Sequence, residues 1–135
     1  MAVLQYVAAL MMLGHGVGHT VGILPAWFSI DVGGGSKPWI LPGGYMMDSI
    51  AGKAWGIIWL VAMILFVVSS AGVFMDEVWW RQWAIIGSAV SIVAIVPWWN
   101  SVVVGARLGV ALDVAIILVL LLPWGDKITN FFEVP

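Results

Sequence analysis

The chain has 135 residues, 63% hydrophobic and 9% charged, with a formal net charge of −2 and a mean hydropathy of +1.10. So little charge excludes an ordinary soluble domain, and five basic residues are too few for a nucleic-acid surface or a strong anionic-lipid tether. With no cysteine, disulfides, thiolate metal sites and thiol redox chemistry are also excluded.

The first apolar stretch runs from Val3 to Leu24, VLQYVAALMMLGHGVGHTVGIL, and ends at Pro25 and Trp27. It is uncharged and long enough to cross the roughly 30 Å hydrocarbon core. It lacks the basic start and the small-residue cleavage site of a secretory signal, so it reads as a retained first span. Gly14, Gly18 and Gly22 recur every four residues and form a ridge that lets another helix backbone approach. His15 and His19 share that spacing beside the ridge. Imidazoles are costly against lipid tails, so this face is expected to turn into a helix bundle.

Pro25 to Lys53 follows as a long Gly/Pro-rich loop, with Gly33-Gly34-Gly35, Pro38, Pro42 and Gly43-Gly44. Its Trp27, Phe28, Trp39, Ile40, Leu41, Tyr45, Met46 and Met47 make it too apolar for a free linker. It reads either as a headgroup-layer loop or as a lid over the bundle mouth. The second span is expected over residues 54–74. An acidic turn at Met75-Asp76-Glu77 and a belt of Trp79, Trp80, Arg81 and Trp83 lead into a third, over 78–98. The fourth covers 102–122 and stops at Pro123, with Trp124 at the boundary and a mixed tail to Pro135 near the membrane surface. The expected fold is all-α: one integral membrane domain over residues 1–135, built as a four-transmembrane-helix bundle. Basic residues divide evenly enough between the two sides to leave orientation open.

Within these spans the informative side chains are those that lipid rejects. His15 and Asp113 each lie about halfway along a helix, so their depths match. His19, Ser88 and Ser91 are at similar or slightly shallower depth, and Arg107 is about 9 Å from Asp113 along its helix. Three readings follow: an Asp113–His15 pair that locks the first helix against the last, a pocket or pathway for a small ligand, ion or proton, and a metal held by His15, His19 and Asp113. Arg107 lies six residues before Asp113, on another face, and has the reach to snorkel to the surface. Two histidines on one helix face cannot take opposite axial positions of one haem iron, which leaves only single ligation or a dimer interface for a b-haem; no cofactor is expected.

The stretches HGVGHTVGILPAW, GIIWLVAMILFVVSSAGVF, WWRQWAIIGSAVSIV and ARLGVALDVAIIL resemble a group of small bacterial four-helix membrane proteins. The first helix is also similar, in its glycines and histidine, to DoxX-like four-helix proteins. The resemblance supports the four-span topology and implies no particular reaction; the expected location is the bacterial or archaeal cytoplasmic membrane. The function expected is a non-enzymatic module that binds a partner or small ligand through the bundle interior. The alternatives are a membrane enzyme or redox accessory with a His/Asp site, and a transport or proton-pathway subunit. Its surroundings are the lipid bilayer, with a homo-oligomer or larger membrane complex as the protein partner.

Overall fold

A computed structural model describes residues 2–122, 125 and 127. The expectations for Pro123, Trp124 and most of the tail lie outside these. The described residues form five α-helices: α1 (Ala2–Gly18), α2 (Thr20–Phe28), α3 (Ile50–Phe74), α4 (Trp80–Ile95), which runs on as a 3-10 turn at Val96–Trp98, and α5 (Val104–Leu121). Four stretches, Val3–Phe28, Ile50–Phe74, Trp80–Trp98 and Val104–Leu121, are long and apolar enough to cross a membrane. Their outer faces carry exposed Val3, Leu10, Ile50, Leu108 and Leu118, as suits helices that lipid surrounds.

The helices follow from local chemistry, with departures from the sequence expectation at several ends. The first span does not stop at Leu24. It continues through Pro25 to Phe28 and ends where Ser29 turns left-handed (φ 55°) and donates its N–H to the Leu24 carbonyl, joined there by Ile30 N–H at 3.3 Å. Helix α3 starts four residues before the expected Ala54. Ser49 caps it, accepting from Gly52 N–H at 3.1 Å while donating to the Met46 carbonyl at 2.6 Å. The acidic turn is closed by Glu77 N–H on the Gly72 carbonyl at 2.9 Å.

Packing runs in sequence around an arc: α1 and α2 lie on α3, α3 on α4, and α4 on α5, with no comparable packing of α5 on α1 to close the ring. Small residues bring α1 and α3 together. A Cβ added at Gly16 would come within 2.9 Å of Phe66 Cβ and 3.2 Å of the Met63 carbonyl oxygen. Gly22 lies against the Trp59 ring so closely that a Cβ would overlap it. Among the described residues nothing comes within 4 Å of a Cβ placed at Gly14 or Gly18, so of the expected ridge Gly22 is the member set closely against α3.

Buried serines fasten the helices where hydrophobic attraction between them is weak. Ser70 Oγ donates to the Ala9 carbonyl at 2.7 Å and Ser69 Oγ to the Trp80 carbonyl at 2.9 Å. Trp55 Nε1–H donates to the Ala94 carbonyl at 3.2 Å. Arg81 donates through Nε to the Leu120 carbonyl at 3.1 Å, tying α4 to the end of α5.

Residues 29–49, between α2 and α3, hold no helix or strand, and they fold back onto the turn between α4 and α5. Gly35 N–H donates to the Ser101 carbonyl at 2.9 Å, Ile40 N–H to the Pro97 carbonyl at 2.8 Å, and Ser101 Oγ to the Lys37 carbonyl. Trp39 packs its ring on Tyr45, Trp55 and Trp98, with centroids 5.1 to 5.6 Å apart. This brings the segment over one end of the helices.

Candidate functional site

The site begins with a defect in a helix. Between α1 and α2 the backbone tightens: His19 N–H donates to the Gly16 carbonyl at 3.0 Å, three residues back, and Gly22 N–H to the His19 carbonyl at 3.0 Å. The His15 carbonyl thereby loses the amide an α-helix would supply. The His19 ring fills that role, with Nδ1–H donating to the His15 carbonyl at 3.0 Å. A break that would leave an unsatisfied carbonyl inside an apolar span is thus sealed by the side chain it reorients.

From His19 the hydrogen bonds continue across the bundle. His19 Nε2 lies 2.8 Å from Ser91 Oγ on α4, Ser91 Oγ lies 2.5 Å from Asp113 Oδ2 on α5, and Asp113 Oδ1 lies 2.8 Å from His15 Nε2. Asp113, Ser91 and His19 are buried, and the His15 side chain is 10% exposed. His15 is the thirteenth residue of the 26-residue first span and Asp113 the tenth of the 18-residue last one, so the network sits at mid-depth. Helix α3 contributes only rings: His15 meets Phe66 edge-on at 4.5 Å, and His19 lies 5.7 Å from Trp59. Phe66 and Trp59 belong to the two apolar core clusters, and the polar network occupies the place where these meet.

Beside the network the open arc leaves a cleft of about 290 Å³ between α1/α2 and α5. His15, His19, Trp59 and Ile95 line its inner part; Gly14 and Gly18 stand on one wall and Gly105 and Gly109 on the other. Among the described residues nothing comes within 4 Å of a Cβ placed at Gly14, Gly18 or Gly105. A second cavity, of about 340 Å³, lies under residues 29–37 and 46–48 and shares Val21 as a wall with the cleft; Asp31, Lys37 and Asp48 line it.

Of the side chains singled out in the sequence, His15, His19, Ser91 and Asp113 come together. Ser88, one turn before Ser91, is buried with no hydrogen-bond partner for its hydroxyl among the described residues. Arg107 lies over the Trp99 ring, 5.8 Å from its centroid, and is not in the network. Among the described residues no group of three His, Cys, Asp or Glu side chains is arranged to hold a metal ion. His15 and Asp113 bond each other, and both His19 nitrogens are engaged.

Sequence reasoning did not single out Gly105 and Gly109 as a cleft wall. The signal is present, because both sit on the helix of Asp113 at a spacing of four. The chain matches no protein-family model, no curated protein and no solved structure.

Proposed function

We propose that this protein is a ligand-binding module of the cytoplasmic (inner) membrane, and that its ligand enters the cleft between α1/α2 and α5 from the bilayer. One observation carries the reading: a glycine-walled opening at membrane depth ends on a hydrogen-bonded His15–Asp113 pair. Polar groups at that depth are expensive and usually functional, and glycine walls keep free a space that side chains would fill. Pockets for small molecules span about 300–1,000 Å³, so a cleft of about 290 Å³ suits a small molecule or one end of a longer one. In this reading the Gly/Pro-rich segment 29–49 is a lid over the neighbouring cavity.

The test is mass spectrometry of what co-purifies with the chain in mild detergent, compared with Gly18→Leu and Gly105→Leu. Both substitutions place a side chain in open space, so they block the cleft without crowding the core. Loss of a co-purifying molecule from both variants, at unchanged thermal stability, supports the reading. An unchanged set of bound molecules overturns it. A second reading, a proton-transfer site, is favoured by the hydrogen-bonded run from His15 to His19, which has no break.

A further inference from the structure

We infer that His15 offers its Nδ1 to the cleft as the proton acceptor for a phenol-bearing hydrophobe, and that Asp113 and Ser91 relay the proton to His19. The inference rests on the cleft being a binding site, and it adds the chemistry of the ligand and the fate of its proton.

The His15 carbonyl can only accept, so His19 Nδ1 carries a hydrogen. Ser91 has a single hydroxyl hydrogen and two close neighbours, His19 Nε2 and Asp113 Oδ2. If that hydrogen goes to His19 Nε2, Asp113 must carry a proton on Oδ2 and donate to Ser91. If it goes to Asp113, His19 Nε2 must carry a second hydrogen. The two arrangements hold the same number of protons and leave every hydrogen bond made. They differ only in the position of one hydrogen across each of two short contacts, which is what a relay requires.

His15 connects this relay to the cleft. With Nε2–H donating to Asp113 Oδ1, Nδ1 bears the lone pair. Nδ1 has no hydrogen-bond partner among the described residues, and the Cε1–Nδ1 edge of the ring faces Gly109 of the cleft wall. A Cβ added at Gly109 would stand 3.1 Å from Cε1 and 3.7 Å from Nδ1. The remaining cleft lining is apolar apart from His19 and the Trp59 ring, so it suits a slender apolar body with one donor group at its tip.

The step balances. The ligand O–H bond breaks and its proton goes to His15 Nδ1, while the Nε2 hydrogen passes to Asp113 Oδ1. The hydrogen on Asp113 Oδ2 moves to Ser91 Oγ as the Ser91 hydrogen moves to His19 Nε2. No electrons change hands, every hydrogen bond between side chains reverses direction, and the products are a ligand oxyanion and an imidazolium at His19. Charge separated in an apolar interior is costly, which favours a ligand whose anion is delocalised, a phenol over an alkanol. No other titratable side chain among the described residues hydrogen-bonds the network. Helix α3 faces it with Phe66 and Trp59, and Arg107, the nearest cation on α5, lies on Trp99.

The experiment uses the full chain in lipid nanodiscs, with heavy nitrogen in the histidine rings, and magnetic resonance to follow each ring nitrogen. The probes are para-heptylphenol and its methyl ether, which has the same body without the O–H. The phenol is expected to shift His15 Nδ1 from the acceptor towards the N–H position, with His19 Nε2 following, and the ether to shift neither. Ser91→Ala is expected to keep the His15 response and lose that of His19, and Ser91→Thr to restore it. If Ser91→Ala does not fold, Asp113→Asn serves instead, because its amide keeps the hydrogen bonds and passes no proton.

Equal effects of phenol and ether, or a His19 response that survives Ser91→Ala, overturn the relay. If the phenol has no effect while Gly105→Leu still expels a co-purified molecule, the ligand chemistry proposed here fails and the cleft reading stands. If Gly105→Leu changes nothing, both fall.

Discussion

Replacing Asp113 separates the two things its carboxyl does, fastening helices and carrying hydrogens. The side chain is fully buried and bonds His15 Nε2 at 2.8 Å and Ser91 Oγ at 2.5 Å. Hydrogen bonds between helices in membranes average about 0.6 kcal/mol and reach about 1.7, so Asp113→Ala is expected to cost roughly 1–3.5 kcal/mol for the two. The partners it leaves buried without a bond move the value towards the upper end. Asp113→Asn keeps the geometry: its carbonyl accepts from His15, its amide donates to Ser91, and Ser91 donates to His19. Its expected cost is below about 1 kcal/mol. The assay is reversible unfolding in mixed micelles of increasing denaturing-detergent fraction, followed by far-ultraviolet circular dichroism. An Asn variant as unstable as the Ala variant, or an Ala variant as stable as the parent, would refute the hydrogen-bond assignment.

Two further outcomes test the packing. Gly16→Ala is expected to lose about 1–3 kcal/mol, because the new methyl meets Phe66 Cβ and backbone of α3 rather than a flexible tip. Gly14→Ala, with nothing within 4 Å among the described residues, is expected to gain up to about 1 kcal/mol from helix propensity. Thermal unfolding of the pair reads the difference, and equal shifts would contradict the close approach at Gly16. Trp39→Ala removes three ring contacts from segment 29–49. At about 0.5–1.5 kcal/mol per aromatic pair, chymotryptic cleavage after exposed Tyr45 is expected to accelerate by roughly tenfold or more. An unchanged rate would mean that the backbone bonds at Gly35 and Ile40 alone hold the segment.

The four apolar spans are legible in the sequence because lipid imposes a length and forbids charge, and both constraints act on composition alone. Matched depth for His15 and Asp113 is legible for the same reason: rise per residue converts position into height. Rotation about each helix axis is not, and rotation decides the site. Ser88 and Ser91 differ by one turn and look equivalent in the sequence, yet only Ser91 reaches His19 and Asp113. The tightening at His19 has no proline to announce it and depends on tertiary contacts of the ring. Likewise, the repeat of Gly14, Gly18 and Gly22 suggests a packing ridge, whereas the contact with α3 is made by Gly16 and Gly22. A glycine beside a neighbouring helix and a glycine beside a void leave the same mark on the sequence.

His15 and Asp113 stand 98 positions apart, on α1 and α5. During synthesis, then, three spans of the chain enter the bilayer while the opening pair of imidazoles still lacks its carboxylate. Maturation of the polar centre therefore waits for α5, and any delay in inserting that helix prolongs the exposure of those rings. A nascent chain paused before Val104 should for this reason be the form most readily recognised and degraded by membrane quality control.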